Sequence, residues 1–201
     1  MDNENNKPDI IFKKIQAEIN ISLTQRGHAF RTPSFNHLDS NNKISSKIVV
    51  LRSFNKKNMN ISFHTDIRSN KIENLKKNLN TSFLFYDAKL KTQLKIFTIS
   101  KINFKNKITK EAWKKTSFSS RKCYLSKLPP SSIVSNPTDG IPLELKGKNP
   151  NKEESENGYK HFAVITNQIK SIEWLYLSSL GHRRLIIKIK RVKNKYQWLI
   201  P

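Results

Sequence analysis

Two neighbouring segments carry most of the information in this sequence: Lys47-Ile48-Val49-Val50-Leu51-Arg52 and Ser62-Phe63-His64-Thr65-Asp66-Ile67-Arg68-Ser69-Asn70-Lys71. The first has an apolar centre with a cation at each end, a pattern typical of a β-strand. The second predicts a strand end with imidazole and hydroxyl side chains, followed by a helix that Ser69 can cap. Helix N-termini present free amide groups that attract anions. We therefore expect the cations, the hydroxyls and the helix start to converge on one phosphate group.

Short polar turns separate the strands around these two segments. Strand patterns cover residues 29–38, 44–54 and 59–65, and turn-forming residues lie between them at 39–43 and 55–58. This spacing predicts a three-stranded antiparallel meander. After the third strand, Ile72 and Leu75 have the spacing of a short helix with one buried side.

The rest of the chain continues the β pattern, with helices at its periphery. Apolar residues at helical spacing predict a helix over 9–23, capped by Asp9 and packed as a lid on one end of a barrel, and another helix over 109–117. Further strands are predicted at 82–86, 92–104, 161–165, 169–177, 183–191 and 196–199. Residues 119–160 are rich in Pro and polar side chains and predict a long irregular loop.

These elements define the expected fold class. They predict a mainly β, α+β fold in which about eight strands form a small antiparallel barrel with peripheral helices. Residues 9–201 are expected to form a single domain, and residues 1–8 a flexible N-terminus.

The strong positive charge favours nucleic-acid binding as an alternative function. The chain has 201 residues, with 38 Lys+Arg, 15 Asp+Glu and a formal net charge of +23. However, 30 Lys, 22 Asn and 23 Ile are abundant together while Ala numbers only 5, a joint skew typical of genome composition. The lysines are also spread along the chain, so no specific nucleic-acid partner is expected.

The sequence argues against several other kinds of site. No apolar run is long enough for a transmembrane span, and the acidic, polar start is not a signal peptide, so no membrane contact is expected. A single cysteine, Cys123, is expected to be inert and indicates a reducing cytoplasm. The five histidines lack the spacing of a metal site, and no Gly-rich phosphate loop is present.

A longer series of motifs extends the two opening segments. It comprises Leu84-Phe85-Tyr86-Asp87, Gln93-Leu94, residues 120–124 before a Pro-Pro loop, His161-Phe162-Ala163-Val164, Trp174, His182-Arg183-Arg184 and Trp198-Leu199-Ile200-Pro201. In this order, over about residues 27–201, the sequence resembles the pyridoxamine 5′-phosphate oxidase family, and specifically its branch of general FMN-binding proteins. The resemblance implies an antiparallel split β-barrel, a homodimer with FMN at the subunit interface, and oxidoreductase activity.

The resemblance also implies a cofactor site, residue by residue. Its FMN contacts fall on Lys47, Ile48, Val49, Val50, Leu51, Arg52, His64, Thr65, Ser69, Asn70, Lys71, Gln93, Trp174 and Arg184. Of these, Lys47, Ser69 and Lys71 would hold the phosphate, and Arg52, Thr65 and Gln93 would contact the ribityl chain or the ring. Trp174 and Arg184, ten residues apart as in the family, would come from the partner subunit.

Departures from the family pattern bear on the substrate. Lys47 and Asn70 stand where the family usually has Arg, so lysine point charges would hold the phosphate without a bidentate guanidinium. Leu180 replaces the Arg that pairs with His182 in the true oxidases, which leaves Arg121 and His182 as substrate-binding candidates. We therefore expect an FMN-dependent oxidoreductase that acts on an unknown small molecule other than pyridoxamine phosphate. Another flavin, the deazaflavin F420 or haem stays open as the cofactor.

Overall fold

The computed structural model describes residues 6–201; most of the predicted flexible N-terminus, residues 1–5, lies outside the described residues. The strands are β1 Ser34–Leu38, β2 Ile44–Ile48, β3 Leu51–Asn55, β4 Asn60–Asp66, β5 Asn80–Asp87, β6 Thr92–Phe104, β7 Phe162–Tyr176, β8 Arg183–Lys188 and β9 Lys195–Leu199. The α-helices are α1 Pro8–Thr24, α2 Asn70–Lys77, α3 Lys107–Lys115, α4 Phe118–Arg121 and α5 Lys152–Glu156. Short 3-10 helices lie at Ala29–Arg31, Lys122–Leu125, Leu143–Leu145 and Tyr159–His161.

All the strands of the described chain form one antiparallel sheet that curves into a split barrel. Its order is β2-β1-β5-β6-β7-β4-β3, and β8 and β9 extend from the second half of β7. The edge strands β2 and β3 are joined only by Val49 and Val50, so the two edges come close without pairing. This unpaired slit confirms the predicted fold class.

The predicted three-stranded meander is correct in its two antiparallel hairpins, β1 with β2 and β3 with β4, but wrong in its continuous middle strand. The strand expected over 44–54 breaks at Val49, whose amide instead donates to the carbonyl of Pro33, 3.1 Å away. The chain there crosses from one edge of the sheet to the other, and β1 pairs with β5 while β4 pairs with β7. Lys47 and Arg52 consequently lie on different strands, on the two sides of the slit.

Helix α1 closes one end of the barrel, as predicted, although its cap differs. Ile11, Phe12, Ile15 and Ile19 are buried in the main core, and each such side chain contributes about 1.5–3 kcal/mol relative to full exposure. The helix begins with Lys7 as N-cap and Pro8 at the first position, so the predicted Asp9 cap is wrong. Asp9 lies instead in the first turn, where a carboxylate favours the positive end of the helix dipole.

Other boundaries shift for local reasons. Residues 29–31 form a 3-10 helix before β1, and the two strands expected at 161–165 and 169–177 are one continuous strand, β7. Helix α3 starts at Lys107 because Asn106 caps it, with a reciprocal bond from Thr109. The expected loop over 119–160 contains most of α4, all of α5 and several 3-10 turns.

A second, smaller core ties these later helices to the outside of the barrel. It consists of Trp113, Tyr124, Phe162 and Val164, all buried. Because Phe162 and Val164 are on β7, this packing holds α3 and the 3-10 helix Lys122–Leu125 over the outer face of β4 and β7. Within residues 6–201, no helix is long and apolar enough to cross a membrane.

Candidate functional site

A cluster of hydroxyls and cations lies where β4 leads into α2. Lys71 Nζ donates to Thr65 Oγ1 at 2.8 Å, and Thr65 Oγ1 is 3.4 Å from Ser69 Oγ. Thr65 and Ser69 are buried, and Ser69 occupies the N-cap position of α2 without using its side chain as the cap. Both hydroxyls and the ammonium group thus converge at the start of a helix, as the sequence predicted.

The second predicted cation of this cluster approaches from the other edge of the slit. Lys47 is half-buried on β2 and pairs directly with the buried Phe35, so its side chain lies on the inner face of the sheet. Burial, together with the charge of Lys47, lowers the pKa of Lys71 to about 8. Two lysines therefore approach each other across the slit.

No carboxylate among the described residues pairs with either lysine. Asp66, the nearest acid in sequence, offsets part of the lowering of the Lys71 pKa, but its carboxylate is paired with Arg68, whose Nη2 is 2.7 Å from its Oδ2. Repelling cations beside buried hydroxyls form a site that favours an anion with several acceptor oxygens. A phosphate monoester has this chemistry.

His64 and Arg52 belong to a different surface. Side chains alternate along β4, so Ser62 and His64 lie on the outer face and Phe63 and Thr65 on the inner face. Burial first, and then the charge of Arg52, lowers the pKa of His64 to about 4. The imidazole is therefore neutral at pH 7, with its ring 4.8 Å from that of Phe162.

This outer surface forms an open groove of about 550 Å³ between β3, β4 and α3. Its lining includes Arg26, Arg52 and Lys115, with Glu111 as the carboxylate. Ser53 and Ser62 bring their hydroxyl oxygens within 2.5 Å of each other on the groove wall. The groove is thus cationic and rich in hydroxyls. Arg52, the second residue of β3, lies beside the slit and is part of the groove lining.

Sequence reasoning missed most of this groove. The alternation that places Ser62 beside His64 was available from the strand pattern. Arg26, Ser53 and Lys115 come from other parts of the chain, and nothing in their local sequence distinguishes them from other polar surface residues.

Gln93 and Arg184 lie together on the outer sheet face, but Trp174 does not join them. Leu175 pairs with Gln93 on one side and with Arg184 on the other, so these three share a face. Arg184 is held there by Glu173, with Nη2 2.6 Å from Oε1. Trp174 is buried on the opposite, inner face, where it pairs with Leu94 and Leu185.

The remaining predicted cofactor contacts surround the slit. Ile48 is exposed at the end of β2, Val49 and Leu51 are buried, and Val50 is half-buried. Asn70 is exposed on the first turn of α2. The backbone of residues 48–51 is therefore the part of the chain that runs between the phosphate-type cluster and Arg52.

The two substrate-binding candidates are separated, and Arg121 is fully engaged by the protein. Its guanidinium donates to the carbonyls of Thr116 and Trp113, to Ser155 Oγ and to Glu156 Oε1 at 2.7 Å. It also lies over the Trp113 ring, 4.5 Å from the centroid. His182 is exposed in the β7–β8 turn, where its Nδ1 accepts from the Ser178 amide.

The other chemistry-bearing groups do not add to the site. Cys123 lies at the surface, and partial desolvation of its thiol by the surrounding chain raises its pKa, so the thiolate needed for nucleophilic chemistry is disfavoured. Among residues 6–201, no group of three or more His, Cys, Asp or Glu side chains comes close enough to hold a metal ion.

The fold and the site together define a class: an antiparallel split barrel with a cationic, hydroxyl-rich cluster at its slit. Residues 12–102 match the family model described as "Pyridoxamine 5'-phosphate oxidase, FMN-binding domain". The resemblance of the chain to the pyridoxamine 5′-phosphate oxidase family is thereby confirmed, and the matched residues include the whole phosphate-type cluster. No curated protein sequence matches the chain.

Solved structures confirm the fold over nearly the whole chain. A pyridoxamine 5′-phosphate oxidase-related, FMN-binding protein from Nostoc punctiforme has a TM-score of 0.74 at 13% identity, covering 94% of this chain and 96% of its own. PhzG from Burkholderia lata, in complex with tetrahydrophenazine-1-carboxylic acid, has a TM-score of 0.65 at 16% identity, covering 100% of this chain and 95% of its own. A protein related to general stress protein 26 from Clostridium acetobutylicum has a TM-score of 0.52 at 12% identity, covering 93% and 96%.

Proposed function

We propose that this protein binds FMN through its phosphate at Lys47, Thr65, Ser69 and Lys71 and acts as a homodimeric oxidoreductase. The observation that carries the proposal is the pair of lysines that approach each other beside two buried hydroxyls without a carboxylate partner among the described residues. A phosphate monoester would satisfy both charges and both hydroxyls. The family model matched by this part of the chain is an FMN-binding domain, which supports FMN over another anion.

From the phosphate, the rest of the cofactor would follow the backbone of residues 48–51 toward Arg52. When bound, the flavin supplies the capacity to accept and return a hydride or an electron pair. Arg52 would place a positive charge near the ring or the ribityl chain, with His64 beside it as a neutral hydrogen-bonding group. Asn70 stays a predicted contact at the phosphate end.

A second copy of the chain would complete the site through the outer sheet face. This face carries exposed apolar side chains at 38–53% relative exposure, namely Leu84, Tyr86, Phe97 and Ile99, next to Gln93 and Arg184. Apolar patches with a polar rim are typical of protein interfaces. Because Trp174 faces the other way, we propose that Leu175 and Arg184, rather than Trp174, are what β7 and β8 present to the partner's flavin.

The groove beside Arg52 would take the substrate. Its cations and hydroxyls favour a small molecule with a carboxylate or phosphate group. Arg121 is occupied by the protein and Leu180 replaces the family's arginine, so we propose a substrate other than pyridoxamine phosphate. A single cysteine in the chain fits a reducing compartment, and the cytoplasm stays our prediction for its location.

The decisive experiment is the absorbance spectrum of the purified protein and identification of what it releases on heating. We expect flavin bands and about one FMN per chain. Colourless protein that cannot be reconstituted with FMN would contradict the proposal. Binding to a duplex that persists at high salt would favour the nucleic-acid alternative, whereas charge alone predicts weak binding lost near physiological salt.

A further inference from the structure

A second cavity lies apart from the proposed flavin site, and its lining includes no residue of the phosphate-type cluster or of the groove beside Arg52. It has a volume of about 530 Å³ and lies, open on one side, between α1 and the inner face of β6 to β8. Ile15 and Phe30 form apolar walls, and Trp174 and Tyr176 form the floor. Ligand sites of small molecules typically have about 300–1,000 Å³ and mostly apolar, aromatic linings.

The two aromatic rings of the floor are ordered against each other. The rings of Trp174 and Tyr176, two residues apart on β7, are nearly parallel, with an angle of 14° and 6.0 Å between centroids. Trp198 meets the Trp174 ring edge-on at 6.5 Å and fixes its orientation. The two rings are therefore stacked on each other, and together with Phe30 they give the cavity an aromatic side that favours a planar apolar group packed against it.

The rim supplies a positive charge. The Arg183 guanidinium lies 4.6 Å from the centre of the Tyr176 ring and donates to the side-chain amide oxygen of Asn6, a neutral group. Within residues 6–201, Arg183 forms no ion pair with a carboxylate. The carboxylate of the cavity, Glu18, is already engaged by the His28 ring at 3.1 Å.

We propose that this cavity is a second small-molecule site, for a planar aromatic ligand that carries one carboxylate. The ring packs against the aromatic side of the cavity formed by Phe30, Trp174 and Tyr176, and the carboxylate pairs with Arg183 at the rim. The site is separate from the flavin site because the two share no lining residue, and because Arg183 points away from the face on which Arg184 would reach the partner's flavin. It does not depend on the proposed redox function.

The test is calorimetric titration of the full chain with 2-naphthoate in the presence of excess FMN, which blocks the proposed flavin site. We expect saturable binding of one naphthoate per chain, with flavin absorbance unchanged. The neutral analogue 2-naphthalenemethanol should bind roughly ten- to a hundredfold more weakly, the range of one charge-assisted hydrogen bond. Displacement by FMN, or equal binding of both compounds, would overturn the proposal.

Substitutions test whether Arg183 binds the carboxylate and whether the ligand occupies this cavity. Arg183→Gln should weaken naphthoate binding by roughly the same factor, and Arg183→Lys should restore much of it. Lys188→Gln removes an exposed cation from the opposite face of the same strand and should have no effect. If Arg183→Gln lowers the melting temperature, Leu90→Trp, a change at the half-open mouth of the cavity, should abolish binding on its own. If the folded variants bind naphthoate as tightly as the wild type, this cavity is not the binding site and the proposal is wrong.

Discussion

Lys71 Nζ donates to Thr65 and lies close enough to Lys47 for the two charges to interact, so its removal affects both the charge and the hydrogen bonding of the cluster. We expect Lys71→Ala to weaken FMN affinity by roughly ten- to a hundredfold, taking a charged hydrogen bond at about 1.5–3 kcal/mol. Fluorescence titration of FMN measures this. Lys76→Ala on the same helix, which removes an exposed lysine paired with Glu73, is the matched control and should leave the affinity unchanged.

The same lysine gives the affinity a pH dependence. Its pKa of about 8 in the free protein is below the ordinary 10.5, so free Lys71 loses its charge as the pH rises above about 8. FMN binding must then restore the proton, and we expect the affinity to fall between pH ~8 and ~10, by at most about tenfold per pH unit. Lys71→Arg, which stays charged, should remove this dependence. An identical pH profile in both proteins would contradict the assignment.

His64 makes folding stability sensitive to acid. Its pKa in the folded chain is about 4, below the 6.5 of an unperturbed imidazole, so between these values the unfolded chain binds more protons. The free energy of unfolding should therefore fall as the pH decreases from about 6.5 to 4, by up to about 3 kcal/mol, with no further contribution below 4. Urea unfolding of the wild type and His64→Gln at each pH isolates this contribution from that of the carboxylates. If the free energies of unfolding of the two proteins change with pH in parallel, His64 does not make this contribution.

Individual residues of the site could be predicted only where neighbours in sequence are neighbours in space. Thr65, Ser69 and Lys71 are within seven positions of one another, and the strand-to-helix pattern places them together. Trp174 could not be placed in this way. Shifting a strand by a single residue moves a side chain to the other face, and the pairing of β7 with β6 and β8 decides which residue faces Arg184.

At the scale of elements, local patterns predicted most helices and strands, but not how the strands pair. The strand over residues 92–104 has the predicted bounds, and Ile72 and Leu75 are the buried side of α2. The order of the sheet depends on contacts distant in sequence, such as β1 with β5 and β4 with β7. The break at Val49 and Val50 follows from this order, because β2 and β3 have to reach opposite edges.

Arg121 has a structural role that belongs to this scale. It connects α3, α4 and α5, with its guanidinium buried among the carbonyls of Trp113 and Thr116 and the carboxylate of Glu156. We expect Arg121→Met to lower the free energy of unfolding by about 3–5 kcal/mol, since it leaves buried acceptors unpaired. FMN affinity should stay within about twofold, because the phosphate cluster is on another face.

Denaturant unfolding and FMN titration of the same preparation separate the two roles of Arg121. Arg191→Met, a change of an exposed arginine between β8 and β9, is the control and should cost less than about 0.5 kcal/mol. If Arg121→Met is as stable as that control, Arg121 does not stabilise the packing of α3, α4 and α5 and becomes a candidate for substrate binding again.

For the whole molecule, the net charge of +23 and the apolar outer sheet face act against each other. Two copies brought together would repel, yet Leu84, Tyr86, Phe97 and Ile99 remain exposed unless a second copy covers them. The proposed dimer should therefore be strengthened by salt, which screens the repulsion and leaves the apolar contact intact. A nucleic-acid complex has the opposite dependence, because salt weakens phosphate binding.

The double variant Leu84→Lys and Phe97→Lys places two cations in the centre of this face and should make the protein monomeric. Both side chains are already more than a third exposed, so the fold and the melting temperature should be retained. FMN affinity should fall together with dimerisation, because the partner's Arg184 is then lost from the site. Ile133→Lys with Leu143→Lys, two exposed apolar residues of the 119–160 region, is the matched control. Sedimentation at low and high salt measures the assembly, and a variant that stays dimeric, or a monomer that keeps full FMN affinity, would show that the flavin site is complete within one chain.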